Sequence, residues 1–529
     1  MMKLRATLSR VVCILLVGMS PQVVAAVDDD TPPVLKFPIK QFVVDGAKLL
    51  AKSDFDQVVA PYVGAEKDFS DVQYALEAVE ELYAERGYSA VHVLLPEQEL
   101  EAGTVRFEVI ESRFGKVEVK NNKFFSKANA LYALPAVREG GVPRAKDIAR
   151  QLRLANENPA RQLNVVLKAG ETDDEVNASV LVNDSNPKQW VVTLDNSGSK
   201  ETGVSRLGVS FRDAGMFNRD HVGQMQMQIS PQYVSRVKVL GGSYKIPLYT
   251  LGHSVEFFGG YSNINSLVGG LSNFQGGGLM FSSRYNIPLD RIGSFDPKLS
   301  LGLDWRKFSK IELTNPPPTV LYTDIVVTPL SVAYAIQGKL AKSDVNGNVS
   351  FTANMPIASK GKSADFAAYD LVNFSDPTPA YKVLRFGAGL FTQFGKDWQF
   401  RVAFDGQWSG DKLIQGEQMR LGGASGVRGF SEGSETGEQG AKFNIETYIP
   451  AWERGQMNAR ALVFLDGGNV NSSSANNSTS IASAGFGLRA GYGNNYGLRM
   501  DAGRILKEGN DPAQMKGDWR IHATLTGTF

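Results

Sequence analysis

The chain has 529 residues with 54 glycines, 10% aromatic side chains, four histidines and one cysteine, and its 56 basic residues nearly cancel 55 acidic ones to leave a formal charge of +1. So even a balance argues against a generally basic nucleic-acid binder. Beyond the N-terminus no run of about 18 apolar residues occurs, so no membrane-spanning helix is expected.

The first segment reads as a secretory signal. Lys3, Arg5 and Arg10 form a positive stretch, residues 11–19 a short apolar core, and Val24-Ala25-Ala26 the small residues at which a signal peptidase cuts. A helix that stays as an anchor is the competing reading, but the apolar core is too short to span a bilayer. Cys13 lies inside this segment, and Arg10-Val11-Val12 before it do not make a lipoprotein site. Cleavage after Ala26 therefore leaves no cysteine, no disulfide and no thiolate metal site. It also removes three cations and no acid, so the charge falls from +1 to −2. Residues 27–36 form a short polar lead with Asp28-Asp29-Asp30 and Pro32-Pro33.

Residues 37–113 and 114–184 read as two small α/β units. In the first, residues 37–44 predict a strand ending at Asp45-Gly46, and Ser53 starts a short helix. Ser70 with Gln73 suggests a capping box, and Val72, Leu76, Val79 and Tyr83 recur at helical spacing until Gly87. Strands follow at 90–95 and 104–111. The second unit repeats the order, with a strand at 116–120, helices at 126–133 and 145–155, and strands at 163–167 and 176–182. Neither unit carries a nucleophile–base pair or a ligand cluster, and the lone His92 sits in a strand.

From residue 185 onward the pattern changes to period two. Met225 and Met227 alternate with Gln224, Gln226 and Gln228; Leu301, Leu303 and Trp305 with Gly302, Asp304 and Arg306; Phe400, Val402 and Phe404 with Arg401, Ala403 and Asp405. A transmembrane barrel places the charged set in its lumen, since hydrocarbon offers no partner to charges or to an open sheet edge. The last strand keeps Ile521, Ala523, Leu525 and Phe529 on one face, and the terminal Phe529 reads as a membrane-assembly signal. About 340 residues accommodate 16 strands of roughly 9–11 residues. The fold expected is a transmembrane antiparallel β-barrel over 185–529 behind two α/β units, in the outer membrane of a Gram-negative cell.

One connection stands out. Residues 409–440 are long and glycine-rich and hold Val427-Arg428-Gly429-Phe430; further on comes Phe464-Leu465-Asp466. Strand parity sets Leu462, Phe464 and Asp466 against Ala461, Val463 and Leu465, so Asp466 faces the lumen and needs a cation. His221, His253 and His522 are scattered.

With these motifs in place, the chain resembles the POTRA-plus-barrel outer-membrane superfamily, and within it the two-partner-secretion transporters of the TpsB (ShlB/FhaC/HecB) type. The resemblance rests on V-R-G-F at 427–430 followed by F-x-D at 464–466, on two POTRA-like units, on Asn158-Pro159, on Leu194-Asp195-Asn196 and on the aromatic end, and it spans 36–529. It implies a 16-stranded barrel whose long loop folds inward and sets Arg428 against Asp466. It also implies export, without ATP, of one unfolded exoprotein of haemolysin or adhesin type, encoded nearby and captured by the POTRA units. No Walker motif is present, and neither enzyme activity, cofactor nor metal is expected. The expected partners are that exoprotein, the outer-membrane assembly machinery and lipid, with the transporter a monomer. The family's plug helix needs about 20 residues, more than residues 27–36 supply, which leaves closure to the loop. An insertase shares the lumen motifs, and a passive porin shares the barrel alone; both stay open at this stage. A single Arg428–Asp466 pair predicts equal defects from losing either partner.

Overall fold

The computed structural model describes residues 35–99, 103–200, 202–263, 277–313, 319–371, 375–473 and 477–529; the expected signal segment and nearly all of residues 27–36 lie outside the described residues. The chain forms two compact bodies. One comprises the described part of Met1–Leu82 with Val93–Val109, the other Tyr83–His92 with Ile110–Phe529.

In the first body Gln41–Asp45 runs parallel to the strand that begins at Thr104, and Phe37–Ile39 pairs antiparallel with Gly64–Lys67. Sequence pattern does not reveal Gly64–Lys67, because Gly-Ala-Glu-Lys has no apolar alternation. The first helix, Lys52–Val59, starts one residue ahead of Ser53. The long helix Phe69–Glu85 starts before Ser70. Its capping box is therefore built from Asp68 and Asp71 instead of Ser70 and Gln73: Ser70 and Asp71 N–H donate to the Asp68 carboxylate at 2.8 and 3.2 Å, and Asp68 N–H donates to Asp71 at 3.1 Å. A carboxylate at the positive end of the helix outcompetes the serine hydroxyl two residues later. That Asp68 N–H, aided by Lys67, holds the Asp71 carboxyl below the usual carboxylate range. Val72, Ala75, Val79 and Tyr83 are buried along the helix, and Gly87, at φ +88°, ends it.

The second body opens with an α/β unit whose central strand, Glu175–Asp184, has Arg113–Lys120 parallel on one side and Arg161–Ala169 antiparallel on the other. Arg113 thus belongs with the second unit, one residue ahead of the expected boundary. Helices Lys127–Tyr132 and Ala145–Ala155 cover the sheet, the first capped by the Ser126 hydroxyl accepting Asn129 N–H at 3.0 Å.

Sixteen long strands make the barrel: β1 (Lys188–Asp195), β2 (Arg206–Met216), β3 (His221–Ile229), β4 (Lys238–Leu248), β5 (His253–Ser262), β6 (Gly278–Pro288), β7 (Phe295–Phe308), β8 (Pro329–Leu340), β9 (Ser343–Asn354), β10 (Lys382–Phe394), β11 (Trp398–Trp408), β12 (Gln439–Tyr448), β13 (Met457–Ser472), β14 (Asn477–Tyr492), β15 (Tyr496–Lys507) and β16 (Trp519–Thr528). Each pairs antiparallel with the next, and β16 closes on β1 with Thr524 opposite Asp195 and Thr528 opposite Val191. That closing ladder is short, and Asn196 extends it with its side chain: Nδ2 donates to Ile521 O at 2.8 Å and Oδ1 accepts Ala523 N–H at 2.9 Å. At the other end of the seam Phe529 exchanges both backbone hydrogen bonds with Trp190, each 2.8 Å.

The period-two pattern becomes two surfaces. Met225, Met227, Leu301, Leu303, Phe351, Val463, Phe486 and Leu525 are exposed outward, where lipid replaces water, while Asp304, Asp466 and Asp501 are buried inward. Exposed Trp190, Trp398, Tyr492, Tyr496 and Phe529 gather at the end near the α/β unit, and Trp408 and Trp519 at the far end, as girdles of a membrane barrel do.

Candidate functional site

The connection between β11 and β12 enters the barrel instead of leaving it. Leu413, Ile414, Glu417, Leu421, Val427, Arg428 and Phe430 along it are all buried. A small hairpin, Met419–Leu421 against Glu435–Gly437, stiffens it. Strand β12 already begins at Gln439, so the loop is two residues shorter than 409–440, since Gln439 and Gly440 find ladder partners in Asn471 and Val470.

At the loop tip Arg428 is 2% exposed and Asp466 of β13 is fully buried. Arg428 Nε donates to Asp466 Oδ2 at 2.7 Å and Nη2 to Oδ1 at 2.8 Å, a two-point contact; the Arg428 backbone N–H adds a third at 3.1 Å. The remaining nitrogen, Nη1, reaches Glu446 of β12 at 2.7 Å and Asp501 of β15 at 3.4 Å. The guanidinium also lies 3.6 Å from the centroid of the Phe464 ring. A planar cation with five donors suits this surround, which a lysine cannot fill. Asn444 ties the same carboxylate to the loop, with Nδ2 donating to Asp466 Oδ1 at 2.9 Å and to Gly426 O at 2.8 Å.

Three carboxylates around one arginine would repel each other without further cations. Arg401 holds Glu446 at 3.0 Å, and Arg489 and Arg499 each hold Asp501 at 2.9 Å. Arg499 also donates to Ala424 O of the loop at 3.1 Å. The result is an ion network with alternating sign, in which Arg428 and its three carboxylates are buried while Arg401 and Arg499 reach toward solvent, and every buried charge has a partner, as burial requires.

The motif's other residues have separate tasks. Gly429, at φ +95°, crosses Gly503 so closely that a Cβ on Gly503 would sit 2.7 Å from its nitrogen. Gly429 N–H donates to His522 Nε2 at 3.2 Å, a contact that requires the ring proton on Nδ1. Val427 and Phe430 do not cover the ion pair; they pack with Leu421, Val470, Ile481 and Ile505, because the turn at Gly429 sends Phe430 away from Arg428. Among the described aromatic residues, Phe464 is the one that lies against the guanidinium.

Of the charges that parity placed in the lumen, Arg306 meets Asp304 and Glu417, Arg401 meets Glu446, and Asp405 lies 3.7 Å from Lys442. Glu446, Asp501, Asn444 and His522 were not singled out in the sequence. Parity alone marks Asn444 and Glu446 as inward, but nothing in the sequence says which stretch of wall the loop touches.

Residues 37–112 match the POTRA domain of ShlB type, and residues 326–490 match the haemolysin secretion/activation proteins ShlB/FhaC/HecB. The heme/hemopexin transporter protein HuxB of Haemophilus influenzae (strain 86-028NP) is 22% identical over 508 residues, covering 92% of this chain and 86% of its own. The outer membrane transporter CdiB of Dickeya dadantii (strain 3937) is 24% identical over 463 residues, covering 84% and 78%. The solved structure of CdiB from Escherichia coli superposes with a TM-score of 0.73 over 97% of this chain and 93% of that one, at 20% identity. With two POTRA-type units, a closed barrel of sixteen long strands and these matches in the N-terminal unit and in the barrel, the chain has the fold and the family signatures of the ShlB/FhaC/HecB two-partner-secretion transporters of the outer membrane.

Proposed function

We propose that this transporter captures one unfolded TpsA-type exoprotein in the periplasm and passes it through the barrel, with the inward loop held to the wall by Arg428. The observation that carries the reading is the buried network joining Arg428 to Asp466, Glu446 and Asp501. A passive pore has no use for so costly a desolvated anchor, nor for α/β units ahead of the barrel. Capture follows from sheet geometry. In the second unit Arg113–Lys120 and Arg161–Ala169 are the outer strands of a three-stranded sheet, and an extended substrate can add to such an edge with little demand on sequence. Folding of the cargo outside the cell supplies direction.

Two expectations follow. First, residues 36–184 should melt cooperatively as an isolated fragment and bind an N-terminal fragment of the cargo. The core of the second unit takes in Tyr249 from the barrel, its Phe125 and Ala160 pack on Ala214, and its Arg161 pairs with Asp220, so the fragment should be less stable than the same region in the whole chain by at least about 2 kcal/mol, the order for uncovering one large side chain. A fragment that melts without cooperativity defeats the domain reading; one that folds yet ignores the cargo defeats the capture reading.

Second, the loop should be reachable from the wall and not from outside. A Cβ on Gly468 of β13 would lie 2.8 Å from Leu421 Cδ2. Cysteines replacing Leu421 and Gly468 should therefore join under mild oxidation in cells, and Leu421→Cys alone should resist a bulky maleimide. Free labelling without a crosslink would place the loop at the surface. Locking the loop this way should lower export, restored by reduction.

A further inference from the structure

The loop has a second seat, opposite in sign to the first and nearer the outer mouth. Glu417 lies on the loop's first, inward-running limb with its side chain fully buried. Arg306 Nη1 of β7 donates to its Oε1 at 2.7 Å, and Arg385 Nη2 of β10 to its Oε2 at 3.1 Å. Its backbone carbonyl takes Gln407 Nε2 at 3.0 Å. Arg306 stands two residues from the outer end of β7 and Arg385 three from the outer start of β10. Just before Glu417, Leu413 and Ile414 enter an apolar cluster with Phe308, Phe366, Tyr369 and Tyr381. Phe366 and Tyr369 come from the connection between β9 and β10, so two outer connections interlock over this end of the lumen. Gly416 is pressed so tightly on the Phe308 ring that a Cβ there would come within 2.1 Å of it.

The two seats differ in what release would cost. If Arg428 leaves, Asp466 keeps no cation among the contacts described, only the Asn444 amide. If Glu417 leaves, Arg306 keeps Asp304 and Arg385 keeps Gln407, and the freed carboxylate moves toward water. An ionic contact whose partners remain satisfied on separation opens at lower cost than one that orphans a buried charge. We propose that Glu417 is the positioning residue that shuts the outer mouth, and that it is the releasable end of the loop while Arg428 is the fixed end. This rests on the inward loop as the closing element, and its test needs no cargo.

The test uses the full-length protein in planar bilayers, with antibiotic entry into cells as a second readout and heat-modifiability as the control for barrel assembly. Glu417→Gln keeps the side chain's shape and removes its charge. It should raise mean conductance about fivefold or more by shifting the loop toward an unseated population, while export stays near the wild-type level. Arg385→Ala should raise conductance in the same direction but by less, since Arg306 still holds Glu417, and Glu417→Gln with Arg385→Ala should not exceed Glu417→Gln alone by much, since the charge change already removes the Arg385 contact. Wild-type conductance in both Glu417→Gln and Arg385→Ala, at equal barrel levels, overturns the proposal. So does a loss of export in Glu417→Gln as deep as that in Arg428→Ala, because Glu417 would then belong to the fixed seat. Were the export reading itself wrong, the conductance change would still appear.

Discussion

Arg428→Ala should abolish most export at unchanged barrel levels, and it should do more harm than Asp466→Ala. A single arginine–aspartate pair predicts equal defects. The structure gives Arg428 three carboxylates and an aromatic face, so removing it strands Asp466 in a dry site and loosens the Glu446 and Asp501 contacts together. Truncating one partner of a buried pair costs roughly 3–5 kcal/mol. Asp466→Ala leaves Arg428 with Glu446 and Asp501, each also held by other arginines, so the loop keeps part of its seat. Arg428→Lys should resemble Arg428→Ala more than the wild type, since an ammonium cannot make the two-point contact and reach Glu446 as well. The double mutant Arg428→Ala, Asp466→Ala should be no worse than Arg428→Ala alone, and slightly better if the orphaned Asp466 is the main cost. The measurement is secreted cargo per assembled barrel. Losses from the two single changes that add fully in the double would rule out a shared contact.

The barrel was legible because membrane burial writes a strict rule into the chain. Alternation at Met225 and Met227, at Leu301 and Leu303 and at Phe486 and Leu488 comes from a lipid face that admits few charges at mid-depth. The same parity placed Asp466 inward, and the motif order supplied its arginine. Neither source could find Glu446, Asp501 or His522. They lie on strands whose inward faces are largely polar, and the folded loop alone selects among them. Glu417 was hidden for the same reason, since its partners Arg306 and Arg385 are distant in sequence. The capping box shifts for a local reason, because Asp68 and Ser70 both suit a helix start and the helix begins at Phe69. Gly64–Lys67 leaves no apolar signature because a four-residue edge strand buries almost nothing.

Asp220→Asn should loosen the second POTRA-type unit from the barrel without unfolding either. Arg161, at the start of that unit's outer strand, is buried against Asp220 of the turn between β2 and β3, with contacts of 2.8 and 2.5 Å. Tyr249, from the turn between β4 and β5, donates to the same carboxylate at 2.6 Å while its ring sits in the unit's core. Arg161 also donates to Asn129 and stacks over Phe125. Around this centre Asn158 donates to Ala214 O at 2.7 Å, and Lys245 meets Glu157 at 2.5 Å. Asp220 has φ +60°, a conformation asparagine tolerates, so the substitution tests charge and not backbone strain. It leaves Arg161 buried without a counter-charge, at a cost of roughly 3–5 kcal/mol. Amide exchange in Lys127–Tyr132 and Glu175–Asp184 of the intact protein should then quicken by about a hundredfold, with β3 to β14 unchanged. Tyr249→Phe removes one hydrogen bond and should have a smaller effect, about 1 kcal/mol. Arg161→Met added to Asp220→Asn should recover part of the protection, because an apolar side chain suits a dry site that no longer offers an anion. Exchange at wild-type rates in Asp220→Asn would mean that the salt bridge does not hold the junction. If it does hold it, export should fall while the isolated 36–184 fragment binds cargo as before, since that fragment lacks Asp220 in either case and only the handover from capture to barrel depends on it.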